Sequence, residues 1–309
     1  MRILFYAEGG NAERWMDALH RVLPKAKVRL WQSGDNEPAD YAVVWKPPVE
    51  LLKGRAGLKA VFNLGAGVDS ILQLGDALPQ SVPIVRLDDA GMGVQMAEYV
   101  TYAVLRYFRR FDEFDLQARR GEWKFMKPHD KADFRVGLLG LGVLGTRVAQ
   151  SLAHFEFPLC GWSLTPKDLP GIDCYAGQAG LDPFLRACRV VVCMLPLTPE
   201  TTGILNRKNM EKLPQGAYVI NVARGAHVVE ADLLELVQFG HIEGATLDVF
   251  GHEPLPPAHP FWNEPEITIT PHIAALTVRD ESVKQIAEKI RALEQGSLIR
   301  GIVDRLKGY

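Results

Sequence analysis

The chain has 309 residues, 47% of them hydrophobic, and a formal net charge of −2. That length favours two domains over one and permits a large buried core. The near-neutral charge excludes nucleic-acid or membrane-surface binding driven by bulk electrostatics. No stretch approaches the ~18 apolar residues of a membrane span, and the apolar run in MRILFYAEGG is too short for a signal peptide. The four cysteines (Cys160, Cys174, Cys188, Cys193) lack metal-site spacing and sit in or beside apolar segments. They read as reduced core thiols of a cytoplasmic protein, and no metal is expected.

Residues 1–90 alternate strands with polar or helical segments. Strands are expected at 3–6, 28–31, 41–45, 60–64 and 84–87. Between the first two, Trp15, Leu19 and Val22 share one face of a helix over 12–23, which Pro24 ends. Strands separated in this way point to a parallel, doubly wound sheet. From 94 to about 119, Ala97, Val100, Val104, Tyr107, Phe111 and Phe114 keep a helical period, so one long helix is expected to lead into the second part. Its aromatic surface (Tyr99, Tyr102, Tyr107, Phe108, Phe111, Phe114) exceeds what one face of a monomeric helix requires, which points to a homodimer.

Residues 134–145, FRVGLLGLGVLG, place Gly140, Gly142 and Gly145 in a G-x-G-x-x-G array directly after an apolar run. Val148, Leu152 and Phe155 then recur on one helical face. A strand, a glycine turn and a helix together form a pyrophosphate site. The glycines permit a tight turn and close approach, and the helix N-terminus offers unpaired N–H groups and a positive dipole end. The first part has no such triplet, so this part is read as the cofactor domain and the first as the substrate domain. Later strands are expected at 190–195, 217–222, 245–249 and 267–270. The tail reads as a helix over 277–295, with Thr277 and Asp280 as a capping box and Gly296 as its stop. With no strand after it to join the cofactor sheet, it is expected to pack elsewhere.

Three segments put ionisable residues at the ends of elements, where α/β enzymes place their ligands. AYVINVARGAHV runs a buried strand into Arg224, whose fork can hold a carboxylate through two parallel hydrogen bonds. ATLDVFGHEPLPP carries Asp248, His252 and Glu253. ITITPHIAA places His272 just beyond a strand. A carboxylate on one imidazole nitrogen fixes the tautomer and favours the charged ring, which suits a general acid near neutral pH. Glu253 is the candidate partner for His272.

Together these segments resemble the D-2-hydroxyacid dehydrogenase family over nearly the whole chain. GLGVLG, PLTPETTGILN, NVARG, ATLDVF, HEPLP and TPHIAA occur in the family's order. Within the family the chain looks most like the glyoxylate/hydroxypyruvate reductase A subgroup, through VFNLGAGVDSIL, GAYVINVARGAHVVEADLL and VDRLKGY. The resemblance implies two doubly wound parallel-sheet α/β domains, a Rossmann cofactor domain (99–275) inserted in a flavodoxin-like substrate domain (1–98 and 276–309). It implies that Arg224 binds the substrate carboxylate and polarises its carbonyl, that His272 donates the proton, and that Glu253 is its partner. The cofactor would be lined by Gly140, Gly142, Val143, Leu144, Gly145, Leu195, Pro196, Thr201, Val222 and Ala223, with Asp248 near the nicotinamide. Leu64, Gly65, Ala66 and Gly67 match the loop whose backbone N–H groups hold the carboxylate; small residues there allow close approach by an anion. Trp45, at a strand end, would stand across from Ala66 as a wall that favours small substrates.

The second strand of the cofactor domain ends in PLCGWSLTPKDL. Ser163 stands where NAD users of the family have aspartate. Serine does not repel a 2′-phosphate and Lys167 can pair with one, but Leu164 replaces the arginine usual in the subgroup. NADP(H) is therefore expected ahead of NAD(H), by a modest margin. The expected reaction is reduction of a small 2-oxo acid, glyoxylate or hydroxypyruvate. The competing readings are a nucleotide-sensing, corepressor-like binding protein and a dehydrogenase of another small anion such as formate or phosphite. No nucleic-acid or membrane partner is expected.

Overall fold

The computed structural model describes residues 1–9, 11–55 and 57–309. The described chain divides into two compact units, Met1–Met92 with Thr277–Tyr309, and Gly93–Leu276.

The first unit holds strands β1 (Arg2–Ala7), β2 (Lys27–Leu30), β3 (Tyr41–Trp45), β4 (Ala60–Asn63) and β5 (Ile84–Val85). They form one parallel sheet in the order β2-β1-β3-β4-β5, the flavodoxin-like arrangement. Tyr41 to Val44 are all buried, as expected of a central strand covered on both faces, which reads as a continuous apolar run. The helix Ala12–Val22 is capped by the Asn11 side chain, which accepts from the Arg14 N–H at 3.3 Å. Trp15 stacks on Phe5 of β1.

The tail helix, Arg279–Glu294, packs against Ala12–Val22. Glu294 near its end accepts from the Tyr41 hydroxyl and from Lys59 Nζ, both at 2.6 Å. Val283, Ile286 and Ile290 are buried. The expected capping box is not made. The N-cap is Val278, with no side-chain cap bond, because the Thr277 hydroxyl donates to the Leu64 carbonyl at 2.9 Å instead. A long-range acceptor outcompetes the local one.

The second unit holds β6 (Val136–Leu139), β7 (Leu159–Ser163), β8 (Asp173–Ala176), β9 (Val190–Cys193), β10 (Ala217–Asn221), β11 (Ile242–Leu247) and β12 (Ile267–Ile269). All are parallel, in the order β12-β11-β10-β9-β6-β7-β8. The winding reverses between β6 and β9, and in such sheets the ligand crevice lies at that switch point, beyond the strand ends. Val191, Val219 and Leu233 belong to the core on one face of this sheet, and Val100, Val148 and Ile220 to the core on the other. The edge strand β8, none of whose residues is fully buried, went unpredicted.

One expected element is corrected. In place of a continuous helix over 94–119 there are two, Met92–Phe108 and Phe111–Arg120, separated at Arg110, whose φ of 60° is left-handed. Tyr107 and Phe108 are consecutive, yet both turn inward. Tyr107 stacks on Tyr218 at 4.3 Å and donates its hydroxyl to Glu243 Oε2 at 2.6 Å. Phe108 meets Phe134 and Phe157 edge-on. A straight helix would place Phe111, at i+4 from Tyr107 and i+3 from Phe108, on that same inward stripe; past the left-handed turn at Arg110 it is exposed instead. Much of the supposed aromatic surface is therefore internal, while Tyr102, Phe111, Trp123 and Phe125 are the exposed aromatics of this region.

Candidate active site

The glycine loop is built by three different backbone demands. Gly140 has φ 111°, and a Cβ on it would lie 2.8 Å from the Met194 carbonyl oxygen. A Cβ on Gly145 would lie 2.0 Å from the Gly140 oxygen, so the helix Val143–His154 sits directly against the loop. Gly142, the N-cap, has nothing within 4 Å of its missing Cβ. The helix N-terminus therefore opens onto room for a pyrophosphate, and its first N–H groups point there. Val143 is exposed and Leu144 packs against the core.

Ser163 ends β7, and its hydroxyl donates to the Thr165 carbonyl at 2.7 Å. Leu164 and Lys167 are exposed beyond it. Leu195 is buried. The Thr201 hydroxyl donates to the Pro196 carbonyl at 2.7 Å and accepts the Thr198 N–H at 2.8 Å, which shapes the turn that follows β9. Burial pushes the Cys193 thiol up to about 12 and raises Cys188 as well, so neither is a nucleophile at neutral pH.

Beyond β10, Val222 and Ala223 are buried and lead into Arg224. Two residues that sequence reasoning missed hold this arginine's backbone. Asn221 Nδ2 donates to the Arg224 carbonyl at 2.9 Å, and the fully buried His227 brings Nδ1 within 3.2 Å of the Arg224 N–H. Arg224 Nη1 also donates to the Ala223 carbonyl at 2.7 Å. Gly225 lies so close to the next loop that a Cβ on it would be 1.8 Å from the Phe250 carbonyl carbon.

That loop carries Glu253. Its Oε1 accepts the Phe250 N–H at 3.1 Å, and its Oε2 lies 2.8 Å from His272 Nδ1. The two residues are thus brought together, with His272 partly exposed to solvent. His272 has φ 56°, a left-handed conformation uncommon for a non-glycine residue. Asp248, expected near the nicotinamide, is 1% exposed. Its carboxylate accepts the Thr270 hydroxyl at 2.6 Å and the N–H groups of Ile273 and Ala274 at 2.8 Å each, so it binds the loop that carries His272.

In the first unit, Asn63 was also missed. Its Nδ2 donates to the carbonyls of Gly65 and Gly67 at 2.9 and 2.7 Å, drawing both oxygens to one side of the 64–67 loop. The N–H groups of Gly65, Ala66 and Gly67 meet no acceptor among the described residues. A Cβ on Gly65 would lie 2.3 Å from Cζ3 of Trp45, so the indole lies over Gly65 itself.

Residues 101–274 match the family model for the NAD-binding domain of D-isomer-specific 2-hydroxyacid dehydrogenases. The chain belongs to this family. Among solved structures, the dehydrogenase is 42% identical to a D-isomer-specific 2-hydroxyacid dehydrogenase from Xanthobacter autotrophicus Py2 in complex with NADPH and MES (TM-score 0.95, 100% of this chain and 99% of that one). It is 36% identical to an NADPH-dependent glyoxylate/hydroxypyruvate reductase from Sinorhizobium meliloti in complex with NADP and sulfate (TM-score 0.93, 100% and 99%). It is 31% identical to a probable 2-hydroxyacid dehydrogenase from Rhizobium etli CFN 42 in complex with NADP, HEPES and L(+)-tartaric acid (TM-score 0.92, 100% and 99%).

Proposed function

We propose that this dehydrogenase reduces a small 2-oxo acid, glyoxylate or hydroxypyruvate, to the 2-hydroxy acid, with NADPH ahead of NADH. The observation that carries the reading is the 2.8 Å contact between Glu253 and His272 at the end of the sheet that also presents Arg224 and the glycine loop. When bound, the reduced nicotinamide supplies hydride for the carbonyl carbon. The chain's own residues do the rest. Glu253 occupies Nδ1 of His272, which leaves Nε2 to give a proton to the carbonyl oxygen. Arg224 holds the substrate carboxylate, and the electrostatic field of its guanidinium favours the oxygen as it gains charge. In the first unit, the 64–67 loop offers backbone N–H groups suited to a carboxylate.

The cofactor is assigned to the unit 93–276, which carries the glycine loop. NADP(H) is favoured because Ser163 sets no carboxylate against a 2′-phosphate, Lys167 is near in sequence, and relatives with 31–42% identity were solved with NADP or NADPH. We also propose a cytoplasmic homodimer. The four cysteines are free thiols, and no described helix is long and apolar enough to cross a membrane. The exposed Tyr102, Phe111, Trp123 and Phe125 support a second copy as partner. Light scattering should give about twice the chain mass of 34.3 kDa; a 34 kDa particle at micromolar concentration refutes the dimer.

The function is tested by initial rates for a panel of 2-oxo acids, each with NADPH and with NADH. Steady turnover of glyoxylate or hydroxypyruvate with NADPH supports the reading. Cofactor binding without turnover of any 2-oxo acid overturns it in favour of a nucleotide-sensing role.

A further inference from the structure

The segment that carries His272 is tied at two points to the helix Met92–Phe108. Gln95 uses both ends of its amide on one residue: Nε2 donates to the Leu276 carbonyl at 2.9 Å, and Oε1 accepts the Leu276 N–H at 3.1 Å. One turn later on the same helical face, the Tyr99 hydroxyl lies 2.5 Å from Thr270 Oγ1. Thr270 in turn donates to Asp248 Oδ1 at 2.6 Å. An ionised carboxylate only accepts, so the Thr270 proton goes to Asp248 and Tyr99 must be the donor to Thr270. Burial raises the Tyr99 phenol above its ordinary value, which keeps that donor protonated.

The chain of bonds ends on the turn at His272. The Asp248 carboxylate takes the N–H groups of Ile273 and Ala274, and the Asp248 carbonyl takes the N–H of His272 at 2.8 Å. A left-handed backbone at a non-glycine residue persists only where its surroundings fix it. Here the surroundings are these bonds, and they set where the imidazole meets Glu253.

We propose that Thr270 and Tyr99 are positioning residues for the proton donor: the directed chain from Tyr99 through Thr270 to Asp248 holds the turn that places His272. The proposal rests on His272 being the proton donor. Neither residue touches substrate. Each acts by fixing the carboxylate that fixes the 272–274 backbone, and removing either lets the ring wander from its productive position. A misplacement of about 1 Å in a reacting group costs on the order of 10²-fold.

The test uses the intact protein with NADPH and glyoxylate, and compares Thr270→Val, Thr270→Ser, Tyr99→Phe and His272→Ala. Valine is nearly isosteric with threonine but cannot donate, whereas serine restores the donor. Thr270→Val should lower kcat about 10- to 100-fold and Tyr99→Phe about 3- to 10-fold, with KM for NADPH within about twofold. In both, the solvent isotope effect on kcat should rise above that of the wild type, because proton donation becomes the slower event. Thr270→Ser should recover to within about threefold. A folded Thr270→Val with wild-type kcat and isotope effect overturns the proposal, as does an equal loss in the valine and serine variants. If the valine variant does not fold, Tyr99→Phe decides by the same readouts. His272→Ala separates the two layers. Retained activity there overturns the proton-donor reading itself. Its loss beside wild-type behaviour in Thr270→Val and Tyr99→Phe overturns the positioning role alone.

Discussion

Gly225→Ala tests whether the backbone around Arg224 sets the geometry of the whole site. A Cβ at this position would lie 1.8 Å from the Phe250 carbonyl carbon, 2.1 Å from its oxygen and 2.3 Å from the Gly251 nitrogen. Real Cβ contacts are essentially never under 3.0 Å, so one backbone must retreat by at least about 1.2 Å. No rotamer change can relieve a clash with main chain. If the 224–225 segment recoils, Arg224 moves. If the 250–251 segment recoils, Glu253 loses the Phe250 N–H on its Oε1 and moves relative to His272. Either way a group proposed for the chemistry is displaced by about the 1 Å that costs on the order of 10²-fold, or about 2.7 kcal/mol at the barrier. Overpacking of this kind also destabilises by about 1–3 kcal/mol, so the measurement must separate the two effects. The glycine loop and its helix lie outside the displaced segments, so NADPH binding by fluorescence quenching reports on folded protein while steady-state glyoxylate reduction reports on chemistry. A variant that binds NADPH normally and has lost 10²-fold in kcat/KM fits the argument. A variant with unchanged kcat/KM and unchanged melting temperature refutes the close approach of these two backbones.

Three other outcomes follow from particular contacts. Glu253→Gln removes the carboxylate 2.8 Å from His272 Nδ1, so kcat for glyoxylate reduction should fall about 10-fold or more with KM for NADPH unchanged; a folded variant with wild-type kcat breaks the proposed pairing. Ser163→Asp should shift preference from NADPH toward NADH by placing a carboxylate against the 2′-phosphate, and a wild type that already favours NADH refutes the reading of that strand end. The hydrogen bonds from Arg29 hold the Asp35 carboxyl below the usual carboxylate value. A depressed folded-state value gives stability that is present above the unfolded-state value and lost as pH falls through the folded one, so the melting-temperature gap between wild type and Asp35→Asn should close on acidification; a gap that widens contradicts the pairing.

What was legible in the sequence was what the local backbone alone decides. The glycine triplet could be read because each position makes a separate demand, namely a left-handed φ at Gly140, open space at Gly142 and close packing at Gly145. The strands at 41–45 and 136–139 could be read because burial on both faces leaves a continuous apolar run. The break at Arg110 could not. The helical period runs on through it, since Phe111 falls at i+4 from Tyr107 and i+3 from Phe108, and nothing in that spacing marks Arg110 for a left-handed φ. β8 failed for a different reason, since a short, half-exposed edge strand carries neither an apolar run nor a clear alternation.

The site divides along the same line. Arg224, Glu253 and His272 could be named because a charged residue at the end of an apolar strand is conspicuous. The residues that hold them are ordinary types in ordinary places. Asn221 and His227 act on Arg224 through its main chain. Asn63 shapes the 64–67 loop through two carbonyls. Tyr99 reaches the His272 turn across 171 residues of sequence. None has a spacing rule, because each contact is fixed by tertiary packing and not by local chain geometry. Asp248 shows the consequence most directly. An aspartate beyond a strand end invites a ligand-facing role, yet here the carboxylate is fully engaged by Thr270, Ile273 and Ala274. Deciding which groups meet the substrate therefore requires first accounting for the partners of every buried polar atom nearby. In this site that accounting assigns the Asp248 carboxylate to the 270–274 loop, and leaves an edge of the His272 ring exposed to solvent.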